Sequence, residues 1–458
     1  MRLPVVLAVP VLALLACTSG AGHGSASTPA NTGSLQPHAT TQATTPFADW
    51  DAYHGNRGRT GVSTTMPAFT GHLSVVKNIT LDGAVYASPL VVGGHVIVAT
   101  ENDTVYNFTS TGTLVWKKHV GSPAQQSELP CGNIFPLGIT GTPVYYRGLV
   151  YVVAELGNPV RHGLFALRLS TGAQVWKRSL DYSGVSAAAM QERGALTTEG
   201  GRIWVPFGGL AGDCSNYKGR LVGILSDGTG SGLVYTVPTT REAGMWTPPG
   251  PSVDPHGWIY ASVGNGAAGT GDPYDHSDSV LKLDATRTVR DFFAPSSWAS
   301  DNNSDADLGS QGPALVGSSW VFIAGKSGTA YVLSQSHLGG IGGQVSSASL
   351  CTSFGGTAVV GSSVYVPCTD GVRKVTISGT GTMSVNWHAS VHGSPVVGAG
   401  RVWSIDSSAG VLHALSTSTG ASTAQISVGA TARFATPALW GRLVVVPTLA
   451  GVTIVSES

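Results

Sequence analysis

One sequence unit recurs along most of the chain and constrains its fold more than any other feature. Its clearest copy occupies residues 87–99, where an apolar strand, the turn Gly93-Gly94 and a second apolar strand follow one another. Two more strands follow, at residues 104–108 and around Trp116, the last after the turn Ser110-Thr111-Gly112. Four short antiparallel strands in about 40 residues are the content of one β-propeller blade.

Eight copies of this unit follow one another from about residue 83 to the C-terminus. The later copies begin near Gly141, Gly194, Gly250, Gly312, Gly356, Gly393 and Ala435. The eighth copy is too short for four strands, and residues 73–81, just before the first copy, form a suitable strand. Pairing this strand with the last copy would close the ring and remove two exposed edges. The sequence therefore predicts an all-β fold for residues 47–458: an eight-bladed β-propeller of four-stranded antiparallel blades, closed by its N-terminal strand.

Tryptophan recurs in the outer strands. Trp116 and Trp176 each follow a Ser-Thr-Gly turn at the same step, and Trp387 ends an equivalent stretch, whereas Ala424 stands at the matching place in the seventh copy. A large apolar ring at a fixed position suits packing between neighbouring blades.

Composition agrees with a turn-rich β fold. The chain has 62 Gly and 25 Pro, and only 11% of its residues are charged. No long stretch has a helical apolar stripe with caps. The net charge is zero and no basic run is present, so we expect no nucleic-acid partner, because phosphate binding needs clustered Lys and Arg.

The N-terminus predicts export. Residues 1–17 have one Arg followed by an apolar run too short for a membrane span, as in a secretory signal. The end of this run, Leu14-Leu15-Ala16-Cys17, resembles a bacterial lipobox, which implies lipidation of Cys17 and anchoring to the outer face of the cell membrane. The alternative is an ordinary signal peptide with a chance Cys. Residues 18–46 carry no charge and few large apolar side chains, and we expect a disordered tether.

Four further cysteines allow three pairings. Cys351 and Cys368 flank a hairpin-sized segment, which favours their pairing and leaves Cys131 with Cys214. The alternative is that one or both pairs stay reduced. Neither CxxC nor HExxH is present, so no zinc site is predicted.

The repeat, together with the lead-in at residues 50–61, resembles the pyrroloquinoline quinone (PQQ) quinoprotein dehydrogenases and their non-enzymatic, BamB-like relatives. The resemblance covers residues 48–457. It implies an axial site in which Asn265 binds both metal and quinone, Asp307 is the catalytic base and a further Ca²⁺ ligand, and Lys326 contacts the quinone. A further Ca²⁺ carboxylate would fall near Asp213. The adjacent Cys-Cys pair of the related alcohol dehydrogenases and the haem motif CxxCH are both absent.

Each of these residues also has a purely structural interpretation. Asn265 could be present only because its turn needs a residue that tolerates positive φ. Asp305 and Asp307 could be solvent-exposed side chains of a polar loop, and Lys326 could lie at the tip of a hairpin. Other polar or aromatic residues precede several inner strands, and we expect them to line one axial funnel or to satisfy backbone groups near the axis. They are Gln191, Glu192, Arg193, Gly244, Met245, Trp246, Asp278, Ser279 and Gln311.

Two functions follow from these features. The favoured hypothesis is a lipid-anchored, non-catalytic binding or scaffold module, with no cofactor and with a protein, peptide or small molecule in the funnel. The alternative is a PQQ- and Ca²⁺-dependent dehydrogenase of alcohols or sugars. A hydrolase or lyase has no supporting nucleophile–base arrangement.

Overall fold

A computed structural model describes residues 47–457, and these residues are almost entirely β-structure. Eight antiparallel sheets of four strands follow one another in chain order, which confirms the predicted eight-bladed propeller. The proposed signal, Cys17 and the tether lie outside the described residues. Among the residues that are described, no helix is long and apolar enough to cross a membrane.

The strands of each blade run from the axis outward. Blade 1 consists of Leu90–Val92, His95–Ala99, Thr104–Thr109 and Leu114–His119, and blade 2 of Val144–Tyr146, Leu149–Leu156, Arg161–Arg168 and Gln174–Ser179. Blade 3 consists of Thr197–Glu199, Arg202–Gly209, Arg220–Leu225 and Leu233–Thr236, and blade 4 of Ser252–Val253, Ile259–Val263, Ser279–Leu283 and Val289–Ala294. Blade 5 consists of Ala314–Val316, Trp320–Ala324, Thr329–Ser334 and Ser346–Ser349, and blade 6 of Ala358–Val360, Ser363–Cys368, Gly371–Ile377 and Met383–Ala389. Blade 7 consists of Val396–Gly398, Arg401–Asp406, Val411–Ser416 and Ser422–Ser427, and blade 8 of Ala438–Trp440, Leu443–Thr448, Gly451–Glu457 and Leu73–Thr80.

Short elements add to this frame. Val62–Ser63, Met190–Gln191 and Gly340–Ile341 pair with blades 7, 3 and 4. The α-helix Trp298–Asn303 has six residues, and the described 3₁₀ turns are Tyr53–Gly55, Gln126–Glu128, Ala187–Ala189 and Leu308–Ser310. The absence of long helices in the described residues agrees with the sequence pattern.

The ring closes as predicted. Leu73–Thr80 pairs antiparallel with Gly451–Glu457, from Leu73 opposite Glu457 to Thr80 opposite Gly451. Chain segments from the two ends of the propeller therefore share blade 8, and this pairing leaves neither segment as a free edge.

The recurrent tryptophans join neighbouring blades. Trp116 of blade 1 donates its indole N–H to the carbonyl of Leu169 in blade 2, at 2.7 Å, and its ring covers Gly172. Trp387 repeats this arrangement with Thr417 and Gly420 of blade 7. A Cβ on either glycine would lie 2.6 Å from the ring, so the turn needs Gly both for its positive φ and for this close contact.

The lead-in runs across the inner edges of the blades. Its backbone hydrogen-bonds the innermost strands of five blades: Trp50 with Val91, Asp51 with Tyr145, Arg57 with Val253, Thr60 with Val359, and Gly61 with Val397. Arg59 is buried, and its guanidinium donates to the carbonyls of Tyr53, Ala195, Leu196 and Pro251. This segment forms a floor at the axis.

Both expected disulfides are formed. Cys131 bonds Cys214, tying the loop before blade 2 to blade 3, and Cys351 bonds Cys368 within blades 5 and 6. Disulfides persist in oxidising compartments, which is consistent with the predicted export.

Candidate active site at the propeller axis

A cavity of about 620 Å³ lies at the axis, and we call it the axial cavity. Its volume falls in the range typical of small-molecule sites. Its lining comes from six blades and from the loop before blade 2: Tyr86, Asn133, Ile134, Gln191, Arg193, Gly209, Leu210, Ala211, Gly212, Asp213, Tyr217, Gly244, Trp246, Asn265, Asp305, Lys326, Phe354, Thr431, Ala432, Arg433, Phe434 and Leu449. Tyr53 of the lead-in shares a small void with Tyr86, Arg193 and Phe434, so the floor lies directly beneath this cavity.

Asp307 lies directly behind the cavity wall and is completely buried. Its Oδ2 accepts the indole N–H of Trp246 at 3.2 Å, and its Oδ1 lies 3.1 Å from Nζ of Lys326. Burial raises the pKa of Asp307 above its usual value, while Lys326 and Trp246 oppose that rise by stabilising the anion. The result is a carboxylate whose proton affinity is set by its neighbours.

Lys326 occupies the turn between two strands of blade 5, as the hairpin interpretation proposed, but its side chain is only 18% exposed. Its Nζ contacts Asp305 at 2.5 Å as well as Asp307, and it lies 5.4 Å from the centre of the Trp246 ring. The two acids raise the pKa of Lys326 despite its burial, so it remains a cation at the cavity wall.

Asn265 and Asp213 both reach the axial cavity. Asn265 is not among the described residues with positive φ, so the turn-only interpretation of this position is wrong. Asp213 does have a positive φ, and its Oδ1 accepts the hydroxyl of Tyr217. The neighbouring Cys214 is held by its disulfide to Cys131, which fixes the loop that carries Asp213. The interpretation of Asp307 as a loop-solvating residue is also wrong, because its side chain has no solvent contact.

The expected funnel residues divide into two groups. Gln191, Arg193, Gly244 and Trp246 line the axial cavity, as predicted. The remaining residues do not line it: Glu192, Met245, Asp278, Ser279 and Gln311. Three of these satisfy backbone groups instead. Asp278 accepts the N–H of Leu308 at 2.5 Å, Gln311 accepts that of Ala324 at 2.7 Å, and the hydroxyl of Ser279 donates to the carbonyl of His276 at 2.8 Å.

The donor set fits a calcium ion only in part. Asp213, Asn265 and Asp307 would offer oxygen ligands, the type that Ca²⁺ prefers, but Ca²⁺ takes six to eight of them. Within residues 47–457 no group of three or more His, Cys, Asp or Glu side chains is arranged to hold a metal. A calcium ion here would therefore need further oxygens from a bound cofactor.

The wall of the axial cavity fits a flat anion better than it fits a calcium ion. Trp246, Phe354 and Phe434 form a row of rings with centroid separations of 6.4 and 6.0 Å. Lys326, Arg193 and Arg433 each lie within 5.4 Å of one of these rings. Neither arginine has a described hydrogen bond or ion pair, so their guanidinium donors remain available to a ligand.

Phe354, Phe434 and Arg433 were missed by sequence reasoning, although a positional signal exists. Four residues that line the axial cavity stand four positions before an innermost strand: Tyr86, Arg193, Phe354 and Phe434. This position of the repeat varies in sequence from blade to blade, and only the closed ring shows that it faces a common axis.

Comparisons with known proteins agree with this architecture. A family model described as outer membrane protein assembly factor BamB matches residues 56–248. The quinohemoprotein alcohol dehydrogenase of Comamonas testosteroni superposes with a TM-score of 0.71 at 16% identity, covering 89% of this chain and 80% of that one. BamB from Moraxella catarrhalis superposes with a TM-score of 0.60 at 16% identity, covering 84% of this chain and 100% of that one.

The chain shares the β-propeller fold of these two structures. One curated relative, the polyvinylalcohol dehydrogenase of Sphingopyxis sp. (strain 113P3), is 32% identical over 203 residues. That match covers 35% of this chain and spans 30% of the relative's length. The same fold occurs in an alcohol dehydrogenase and in BamB, so the fold does not fix the activity.

Proposed function

We propose that the axial cavity binds a quinone of the PQQ type and that the protein oxidises alcohols, with Asp307 as the base. The observation that carries this proposal is the buried Asp307, held between Trp246 and Lys326 at the wall of a 620 Å³ cavity. A base of raised pKa beside a flat aromatic ring suits proton removal from a hydroxyl group.

The cavity residues would divide the work. Trp246 and Phe354 would stack on the flat cofactor, and Arg193 and Lys326 would pair with its carboxylates. Asp213, Asn265 and Asp307 would supply oxygen ligands to Ca²⁺. When bound, the quinone would supply the acceptor for the two electrons and the hydrogen that leave the alcohol carbon.

Lys326 must move for Asp307 to act. Both the lysine and Trp246 cover the carboxylate, so a substrate hydroxyl can approach Oδ1 only after Nζ withdraws. The side chain of Lys326 is long and flexible, and its second partner Asp305 is 68% exposed, which allows this displacement. Asp307 would then accept the hydroxyl proton while the ammonium group stabilises the site nearby.

The chain without residues 1–46 tests the proposal. We expect that, after incubation with PQQ and Ca²⁺, it retains about one quinone per chain through gel filtration and reduces a dye over a panel of alcohols and sugars. Trp246→Ala should lose the retained quinone absorbance. A wild-type protein that retains no quinone would contradict the proposal.

A non-catalytic, lipid-anchored binding module is the second candidate. It is supported by the BamB family model over residues 56–248 and by the lipobox-like sequence at Cys17. Export of the full chain followed by labelling with a lipid precursor tests the anchor, and Cys17→Ala should abolish the label.

A further inference from the structure

A second cavity of about 220 Å³ adjoins the axial cavity, and we call it the side cavity. Phe354, Arg433 and Phe434 line both cavities and separate them. The other walls of the side cavity come from blades 6 and 7: Pro367, Cys368, Thr369, His392, Gly393, Ser394, Ser407 and Ser408. A ligand in the axial cavity therefore has a neighbouring compartment into which it can extend.

The walls of the side cavity are held firmly. The disulfide Cys351–Cys368 joins the loop that carries Phe354 to the wall strand, and the N–H of Phe354 donates to the carbonyl of Pro367 at 3.4 Å. Ser394 is buried, and its hydroxyl accepts the N–H of Gly356 at 3.1 Å. Buried residues of blades 6 and 7, among them Pro367, Cys368 and Ser394, therefore fix one side of the compartment, while Thr369 and Ser408 on its other side are exposed.

The chemistry of the side cavity suits hydroxyl groups. Arg433 lies 4.3 Å from the centre of the Phe354 ring and has no described hydrogen bond or ion pair, so its donors are available. The hydroxyls of Thr369 and Ser407 also have no described partner. The rings of Phe354 and Phe434 are half-buried and can pack against the C–H groups of a hydroxylated chain. The guanidinium of Arg433 and the hydroxyls of Thr369 and Ser407 can hydrogen-bond the oxygens of that chain.

We propose that the side cavity is a subsite for the next unit of a hydroxyl-rich oligomer whose reacting unit lies in the axial cavity. The identity of the reacting unit rests on the proposed function. The extended binding mode does not, because it follows from the two adjoining cavities and can be measured without turnover.

Calorimetric titration tests the subsite directly. The protein is titrated with oligosaccharides and, separately, with polyvinyl alcohol fractions, each from monomer to short oligomer. We expect the affinity to rise about tenfold from the monomer to the oligomer in at least one series, since one added stacked and hydrogen-bonded unit gives that order of gain. The series that shows the rise identifies a glycan or a carbon-backbone polyol.

Two variants test the location. Ser407→Trp should fill the side cavity and remove the dependence on length while keeping the monomer affinity, and Arg433→Ala should weaken oligomer binding more than monomer binding. Ser362→Trp, at an exposed turn of blade 6 away from both cavities, is the matched control and should behave as wild type. An affinity that does not change with length, a length dependence retained in both cavity variants, or no binding of either series would overturn the inference. Length-dependent binding without dye reduction would contradict the proposed function alone.

Discussion

The ammonium group of Lys326 lies 3.1 Å from a carboxylate oxygen of Asp307 that has no contact with solvent. A buried acid beside a cation has a proton affinity that depends strongly on that partner. In this site burial raises the pKa of Asp307 and Lys326 lowers it, so the lysine controls the pH range in which the acid can act as a base.

Removing the charge of Lys326 should shift the pH dependence of kcat/KM. In Lys326→Gln the opposing interaction is lost and the pKa of Asp307 rises further. Because the base must be deprotonated, the acid limb of kcat/KM should shift to higher pH by about one unit or more. Lys326→Arg keeps the charge and should shift it much less. Identical acid limbs in wild type and Lys326→Gln would show that the two groups are not coupled in catalysis.

Gly172 should tolerate alanine far less than Gly148 does. Both have positive φ, so both substitutions cost about 1–2 kcal/mol of backbone strain. Only at Gly172 would the new Cβ meet Trp116, at 2.6 Å, whereas nothing lies within 4 Å at Gly148. We expect Gly172→Ala to lose about 1–3 kcal/mol more in denaturant unfolding. Equal losses would argue against tryptophan docking as a source of stability.

Asp103 should make the folded state less stable as the pH rises. Burial, followed by the charges of Glu101 and Glu155, raises its pKa from 3.8 to about 9. Across that window the folded chain keeps a proton that the unfolded chain has lost. The stabilisation is therefore complete below pH 3.8 and is lost progressively up to about pH 9, with a slope of up to about 1.4 kcal/mol per pH unit.

Asp103→Asn should flatten this dependence. Unfolding free energies measured between about pH 5 and 8 would show a smaller fall with pH in the variant than in wild type. Asp227→Asn is the control, because Asp227 is exposed and hydrogen bonds to Thr229 lower its pKa, so it does not titrate in this range. A fall as steep in Asp103→Asn as in wild type would assign the titration to other buried acids.

Arg59 should be essential to the floor of the axial cavity. Its guanidinium satisfies carbonyls of the lead-in and of blades 3 and 4, and neither a shorter nor a single-headed donor can reach all of them. We expect Arg59→Lys and Arg59→Leu each to destabilise the protein by about 2 kcal/mol or more in thermal or denaturant unfolding. Arg57→Leu, whose side chain is exposed, should cost less than about 1 kcal/mol. Similar losses at the two positions would contradict this role of Arg59.

The blades could be predicted from sequence because their determinants are local and repeated. Gly-Gly turns, apolar strands and the docked tryptophans recur at a fixed spacing, so each copy supports the others. The path of the lead-in could not be predicted, since Arg57 and Arg59 lie in a segment without periodicity and their partners come from distant blades. The carbonyl of Arg57 accepts the N–H of Val253, and the guanidinium of Arg59 donates to the carbonyl of Pro251.

The candidate site was only partly accessible to sequence reasoning. Asp307, Lys326 and Asn265 were found through the resemblance, and the structure brings all three to the axial cavity or its wall. Phe434 and Arg433 were missed because a lone aromatic or basic residue before a strand has no local signature. Their proximity to Arg193 depends on closure of the whole ring.

The most direct test of the account is dye reduction by Asp307→Asn in a preparation whose bound quinone is measured in the same sample. Asparagine keeps the shape of the side chain but cannot take up the proton. The account predicts that this variant retains the quinone and loses activity by about 10²-fold or more, while Asp227→Asn matches wild type in both measurements. Alcohol-dependent dye reduction at the wild-type rate in Asp307→Asn, with quinone bound, would contradict it.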